Sequence, residues 1–185
     1  IGKIIGNIII PLVFALLLNE LALKKLKRPI QTIVYLPYFL SWVILAKIVL
    51  NIFGYTGPIN QLIQLFGGDP INFFGEAKLF QPLVIGTDIW KGFGYNAVGY
   101  LAAILGVDGS LYEAAAVDGC GRFKRIWHVT LPGIKTTVAL LAILSLGNIL
   151  NAGFDQVYNL YNPLVYSTGD IIDTWVYRAG LQNLQ

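Results

Sequence analysis

The chain has 185 residues, of which 56% are hydrophobic and 12% are charged, with a formal net charge of +3. Charged residues are about half as frequent as the roughly 25% usual in soluble domains, which points to an integral membrane protein and, with so small a net charge, excludes a general nucleic-acid surface. The single cysteine, Cys120, excludes an intrachain disulfide; the sequence opens on Ile1 and runs at once into apolar residues with no charged leader or cleavage site, so the chain is expected to be a fragment of a longer one.

Four apolar runs approach or reach the spanning length of about 20 residues. They cover about 4–23, 30–53, 79–107 and 131–152, and a fifth begins near 171 and stops before it could cross. Pro11 lies inside the first run and Pro37 inside the second; a bilayer helix tolerates such a kink where neighbours satisfy the freed carbonyl. The expected fold is all-α, a polytopic transmembrane helical bundle forming one domain over 1–185. No internal repeat is evident.

The links alternate in charge. Residues 24–28, KKLKR, carry four positive charges, and the link 108–131 carries Arg122, Lys124 and Arg125. The link 54–78 holds Asp69, Glu76 and Lys78, and the link 153–170 holds Asp155 and Asp170 with no Lys or Arg. Positive charge in short links marks the cytoplasmic side. The first and third links are therefore expected inside, and the second and fourth outside, as four spans require. The second link reads as turns around a short interfacial helix.

The third link, 108–131, is dense in charge and glycine. Ser110 and Glu113 have the spacing of a capping box, and Asp108 and Gly109 supply the turn before it. Residues 111–118 are then expected to be helical, with Gly119 and Gly121 ending the helix through the left-handed conformation. Residues 122–128 form a second short piece, and Pro132 suits the first turn of the next span. Ala114, Ala115 and Ala116 leave a surface without bulk, and Leu111, Tyr112 and Val117 add apolar area. A short cytoplasmic helix of this kind suggests docking to another protein.

Glu113-Ala114-Ala115, then Gly119 after three residues, then Val129-Thr130-Leu131-Pro132 after nine, resembles the EAA signature of the membrane subunits of binding-protein-dependent ABC importers. Val129 stands where Ile is usual, and Cys120 where Ala is common. The stretches ALLLNELALKKLKRPIQTIVYLPYFLSWVI, GPINQLIQLFG, IWKGFGYNAVGYLAAILGVDGSLYEAAAVDG and GFDQVYNLYNPLVY are similar to the carbohydrate, maltose-permease-like branch, and most of all to its oligosaccharide subgroup. The resemblance implies a type I permease fold, covering spans two to five of a six-span core and the start of span six. It implies a bacterial plasma-membrane protein that is not an enzyme and holds no cofactor, with ATP and magnesium on a partner ATPase dimer. The other implied partners are a second permease subunit, an extracytoplasmic solute-binding protein, the sugar and membrane lipid. Carried onto this sequence, Glu113 pairs with a basic residue of the ATPase, Ala114 and Ala115 allow close approach, and Gly119 makes the bend. Asp118, Leu131 and Pro132 complete the coupling element. Arg122, Lys124 and Arg125 either touch the ATPase or only obey the charge rule.

Polar residues inside a span face the bundle interior or a cavity. Asp88, Lys91, Tyr95 and Gly99 fall at intervals of three or four, on one face of the third span, with Trp90, Asn96 and Tyr100 on adjacent faces. Ser145, Asn148 and Asn151 recur every three residues in the fourth. These are the candidates for a solute path, against a reading of Trp90 and Lys91 as interfacial anchors and of the asparagines as interhelical glue. Lys47 reads as a snorkelling or packing side chain, and His128 has no second ligand at metal spacing. Gly92, Gly94 and Gly99 follow no strand, so they suit helix contact rather than a nucleotide loop. An importer for a non-sugar solute and a stand-alone secondary transporter are the alternatives. An intramembrane enzyme lacks any catalytic constellation.

Overall fold

A computed structural model describes residues 1–21, 23–148 and 151–182, and among them every regular element is helical. In chain order these are α1 (Gly2–Glu20), α2 (Lys24–Phe39), α3 (Trp42–Phe53), α4 (Pro58–Leu65), α5 (Ala77–Leu105), α6 (Gly109–Val117) and α7 (Arg122–Arg125). A π turn (Ile126–Thr130) leads into α8 (Leu131–Gly147). Then come α9 (Phe154–Leu160), a 3₁₀ turn (Pro163–Val165), α10 (Tyr166–Gly169), α11 (Ile172–Tyr177) and a second π turn (Arg178–Gln182). Gly2–Glu20, Trp42–Leu65 and Arg122–Gly147 are each long and apolar enough to cross a membrane. The pair α5 and α6, bent by 71°, adds a fourth candidate.

The chain divides into two compact units. The first comprises Ile1–Tyr38 and Ile89–Ile149. Its core joins Ala15 and Leu16 of α1, Ala97, Tyr100 and Ile104 of α5, Ile126 of the π turn and Ile134 of α8. Ala15 and Ala97 are fully buried, and small residues at such contacts let helix backbones approach. At Gly94 the backbones come close, because a Cβ there would meet the carbonyl and side chain of Val34 on α2. This glycine serves helix contact, as its setting in the sequence suggests.

The second unit comprises Phe39–Asp88 and Leu150–Gln185. Ala46 and Val49 of α3, Phe80 and Val84 of α5, and Val157 and Leu160 of α9 meet in its core, with Phe74 and Val165. Its buried polar groups are satisfied, as they must be in an apolar setting. The Gln156 amide, fully buried, donates to the Val84 carbonyl (2.7 Å) and to Thr87 Oγ1 (2.9 Å). Asn60, 1% exposed, donates to the carbonyls of Gly54 and Ile71 and accepts from the Ile71 amide. The link 54–78 is thus bracketed by one side chain, with α4 as its expected short helix.

Three sequence expectations are corrected. The second apolar run, 30–53, is not one helix. It is broken at Leu40–Ser41, where α2 ends and Ser41 caps α3 by accepting from the Ile44 amide (3.4 Å). The basic cluster 24–28 opens α2 rather than forming a loop. The fourth run is helical without interruption from Arg122 to Gly147, so it starts before 131 and ends before 152. Pro132 lies in the first turn of α8, as expected, and that helix continues directly from the π turn. A proline ring there presses on the carbonyl four residues back. The preceding turn is widened, with the Leu131 amide bonded to the Ile126 carbonyl five residues away, a π arrangement that relieves the crowding.

Candidate functional site

The expected coupling residues lie together in the first unit. The capping box does not form: α6 begins at Gly109, and the Asp108 carboxylate, not Ser110, caps it by accepting from the Ser110 amide (2.9 Å). That backbone bond, then the Ser110 hydroxyl, holds the Asp108 carboxyl below its ordinary value of 3.8. Glu113 is consequently free of any capping role and is exposed. The far end closes as a Schellman motif: the Cys120 amide reaches the Ala115 carbonyl (2.9 Å) and the Gly119 amide the Ala116 carbonyl (3.1 Å). Gly119 has φ +73° and takes the left-handed bend expected of it, whereas Gly121 is extended and starts α7.

Two faces of α6 can be told apart. Ala115 is 8% exposed and turned into its own unit, so its small size serves internal packing. Glu113, Ala114, Asp118 and Gly119 are exposed, as are Leu111 and Val117. The Tyr112 hydroxyl lies 3.1 Å from Thr130 Oγ1, and Thr130 is buried at the base of α8 beside Leu131 and Pro132. This tie was not legible from the motif. Tyr112 looked like docking surface, and its partner is 18 residues away. Arg125 ion-pairs with Glu20 at 4.0 Å, whereas Arg122 and Lys124 are exposed.

The expected path residues divide. Lys91 is fourteen residues from either end of α5. Its ammonium donates to the carbonyls of Pro37 (3.3 Å) and Tyr38 (3.0 Å) at the close of α2. Those carbonyls lie in the last turn, at the negative end of the helix dipole, so the cation caps a helix broken within an apolar run. It also lies 5.8 Å from the Tyr38 ring centroid, and Tyr38 stacks on Tyr95 at 3.9 Å and 6°. Asn96 donates to the Asn7 side chain of α1 (3.2 Å). Lys91, Tyr95 and Asn96 thus gather on one stretch of α5 with Tyr38 and Asn7, two partners that the period of α5 could not reveal. Trp90 is exposed beside them, and Asp88 is half-buried.

Tyr100 is different. It is 2% exposed and belongs to the core of the first unit. The asparagine stripe is also corrected. The α8 helix ends at Gly147, Asn148 is its C-cap, and Asn151 lies beyond the helix, so the two share no helical face. Ser145 bonds back to the Leu141 carbonyl (2.8 Å). The His128 ring nitrogen meets the Lys124 carbonyl (2.9 Å).

Residues 5–162 match the profile of a family described as binding-protein-dependent transport system inner membrane component. Protein LplB of Bacillus subtilis (strain 168) is 46% identical over 172 residues, a match that covers 92% of this chain and 54% of that protein. The polygalacturonan/rhamnogalacturonan transport system permease protein YteP of the same organism is 45% identical over 179 residues, covering 95% and 55%. The chain spans about half the length of these curated relatives. Among solved structures, a bacterial ABC transporter involved in import of the acidic polysaccharide alginate superposes with a TM-score of 0.90 at 40% identity, over 95% of this chain and 62% of that one. A bacterial alginate ABC transporter in complex with an alginate pentasaccharide-bound periplasmic protein gives 0.91 at 37%, over 99% and 66%.

Proposed function

The chain belongs to the binding-protein-dependent transport system inner membrane components, and from that membership we propose that it is the permease subunit of an ABC importer carrying a sugar or oligosaccharide across the plasma membrane. The sugar class is supported by relatives whose names or described cargo are polysaccharides. The observation that carries the mechanism is α6, a short helix closed at both ends and fastened to α8 through Tyr112 and Thr130. A membrane bundle that binds no nucleotide needs a stiff handle through which an ATPase can move it.

In this reading ATP and magnesium stay on the partner ATPase dimer, and the chain itself catalyses no reaction and holds no cofactor. Glu113, Ala114 and Asp118, on the outer face of α6, meet the ATPase. Gly119 sets the angle between α6 and α7. Ala115 and Leu131 support the element from inside, and Pro132 opens α8. An external solute-binding protein delivers the sugar, a second permease subunit completes the channel, and lipid surrounds both. Lys91, Tyr95, Asn96 and Trp90, with Asp88 one turn away, offer the polar and aromatic groups along the path. Tyr100 supports that helix from the core, and Asn148 and Asn151 serve at the end of α8.

The test is uptake of radiolabelled tetrasaccharides into vesicles holding the permease with its partner subunits. Uptake is expected only with internal ATP and the external binding protein. Uptake driven by a proton or sodium gradient without ATP refutes the reading in favour of a secondary transporter. ATP-dependent uptake of an amino acid or phosphate, and of no sugar, refutes the substrate class.

A further inference from the structure

The α9 helix has two faces of different character. Gln156, Val157 and Leu160 are buried and hold it to its unit. Phe154, Tyr158 and Tyr161 follow at i, i+4 and i+7 and so share another face, each half-buried. The Phe154 and Tyr158 rings are stacked at 5.3 Å and 17°. The series continues from Tyr158 to Tyr161 at 6.0 Å and from Tyr161 to Tyr166 at 5.0 Å. Tyr177 closes one side, 5.1 Å from Tyr158 and 5.6 Å from Phe154. Five rings thus form a continuous strip within one unit.

Polar groups line the strip. At its Tyr166 end the Arg178 guanidinium lies 4.1 Å from the ring centroid, and Asp170 ion-pairs with it. Thr174 donates to the same carboxylate (2.7 Å), so both charges of the pair are fixed in place. At the other end Asp155 is exposed and Asn159 donates to its carbonyl (2.7 Å), the two standing one turn apart beside Phe154 and Tyr158. Pure packing here needs no hydroxyls, and Leu or Ile would serve. Anionic lipid headgroups call for unpaired basic side chains, whereas Arg178 of the strip is already paired with Asp170. A pyranose ring has apolar C–H faces and a rim of hydroxyls. It is matched by aromatic faces with polar groups held at their edges.

Building on the sugar-import reading, we infer that the strip from Phe154 through Tyr158 and Tyr161 to Tyr166, flanked by Tyr177, binds pyranose units of the oligosaccharide on the external side, before the membrane path. The charged groups at its end are already paired, so recognition is of ring faces and hydroxyls.

The experiment uses the permease assembled with its partner subunits in vesicles, the external binding protein, and labelled tetrasaccharides of galacturonate, mannuronate and glucose. Tyr158→Leu and Tyr177→Leu are expected to raise KM for the transported tetrasaccharide about threefold to tenfold. Maximal rate and binding-protein-stimulated ATP hydrolysis are expected to stay within about twofold, which shows that the variants are assembled. Tyr158→Trp, which keeps a ring face, is expected to retain the wild-type KM. If both leucine variants match the wild type in KM, the strip is an interfacial aromatic belt facing lipid and the inference is overturned, while sugar import stands. If the wild type takes up no tetrasaccharide, the functional reading falls first and the strip with it.

Discussion

At the scale of single residues, three positions carry most of the site. Gly119 holds a left-handed backbone at φ +73° with open space around it. Gly119→Val therefore meets conformational strain and no clash, a cost of roughly 1–2 kcal/mol. Membrane insertion is expected to be normal, and copurified ATPase per permease and stimulated hydrolysis to fall together; normal values of both would remove α6 from the coupling role. Asp108 caps α6, and its carboxyl is held below 3.8. A depressed acid stabilises the fold above its ordinary range and loses that contribution as pH falls through its lowered value. Asp108→Ala is thus expected to lower the thermal midpoint at pH 7 and to equal the wild type only in acid below 3.8, whereas Asp108→Asn, still an acceptor, stays near wild type. Lys91 bonds two carbonyls at the end of α2, and such charge-assisted bonds contribute about 1.5–3 kcal/mol. Lys91→Ala is expected to reduce sugar uptake by about tenfold or more with ATPase copurification unchanged. A loss of both in parallel would mark it as scaffold alone.

At the scale of elements, α6 and α8 act as one piece because Tyr112 meets Thr130. Tyr112→Phe removes that bond, at about 0.5–1.5 kcal/mol. The expected result is ATP hydrolysis at the wild-type rate with fewer sugars carried per ATP, read as the ratio of the two in vesicles. An unchanged ratio would mean that the tie only stabilises the fold. The same elements show how far the sequence could be read. Apolar runs and charge asymmetry announced helices near 4–23 and 79–107, because length and hydropathy are local properties. The Glu113 to Pro132 stretch announced the short helix α6 and its left-handed end at Gly119 for the same reason. The break at Ser41 was hidden, since a cap of one serine inside an apolar run leaves the pattern intact. The roles of Ser110 and Asp108 were exchanged because both are good caps two residues apart, and only the backbone path decides between them. The company of Lys91 was beyond reach: Tyr38 lies 53 residues away, in a different run.

For the whole molecule, the charge pattern predicts that the α2 start and the α6–α7 turn share one side of the membrane and that the links 54–78 and 153–170 share the other. Asn60 is a poor reporter, being buried and bonded three times. Asp69 and Ser167 are exposed, as are Lys25 and Asp118. With Cys120 replaced by Ser, a cysteine at Asp69 or Ser167 is expected to react with an impermeant thiol reagent from outside intact cells, and one at Lys25 or Asp118 only after permeabilisation. The reverse pattern would overturn the topology and, with it, the placement of the ATPase.

The π turn before Pro132 also bears on insertions and deletions. It holds one residue more than an α turn of the same rise. Removing a single residue, Val129 for example, lets the turn revert to α pitch and keeps the upstream helix nearly in phase, whereas removing two rotates everything upstream by about 100° about the helix axis. Arg122, Gly119 and the outer face of α6 would then point away from their present direction without any change in their own sequence. The distance in residues between Gly119 and Pro132 is therefore a phase setting, and a permease two residues shorter there would present its handle to the wrong side.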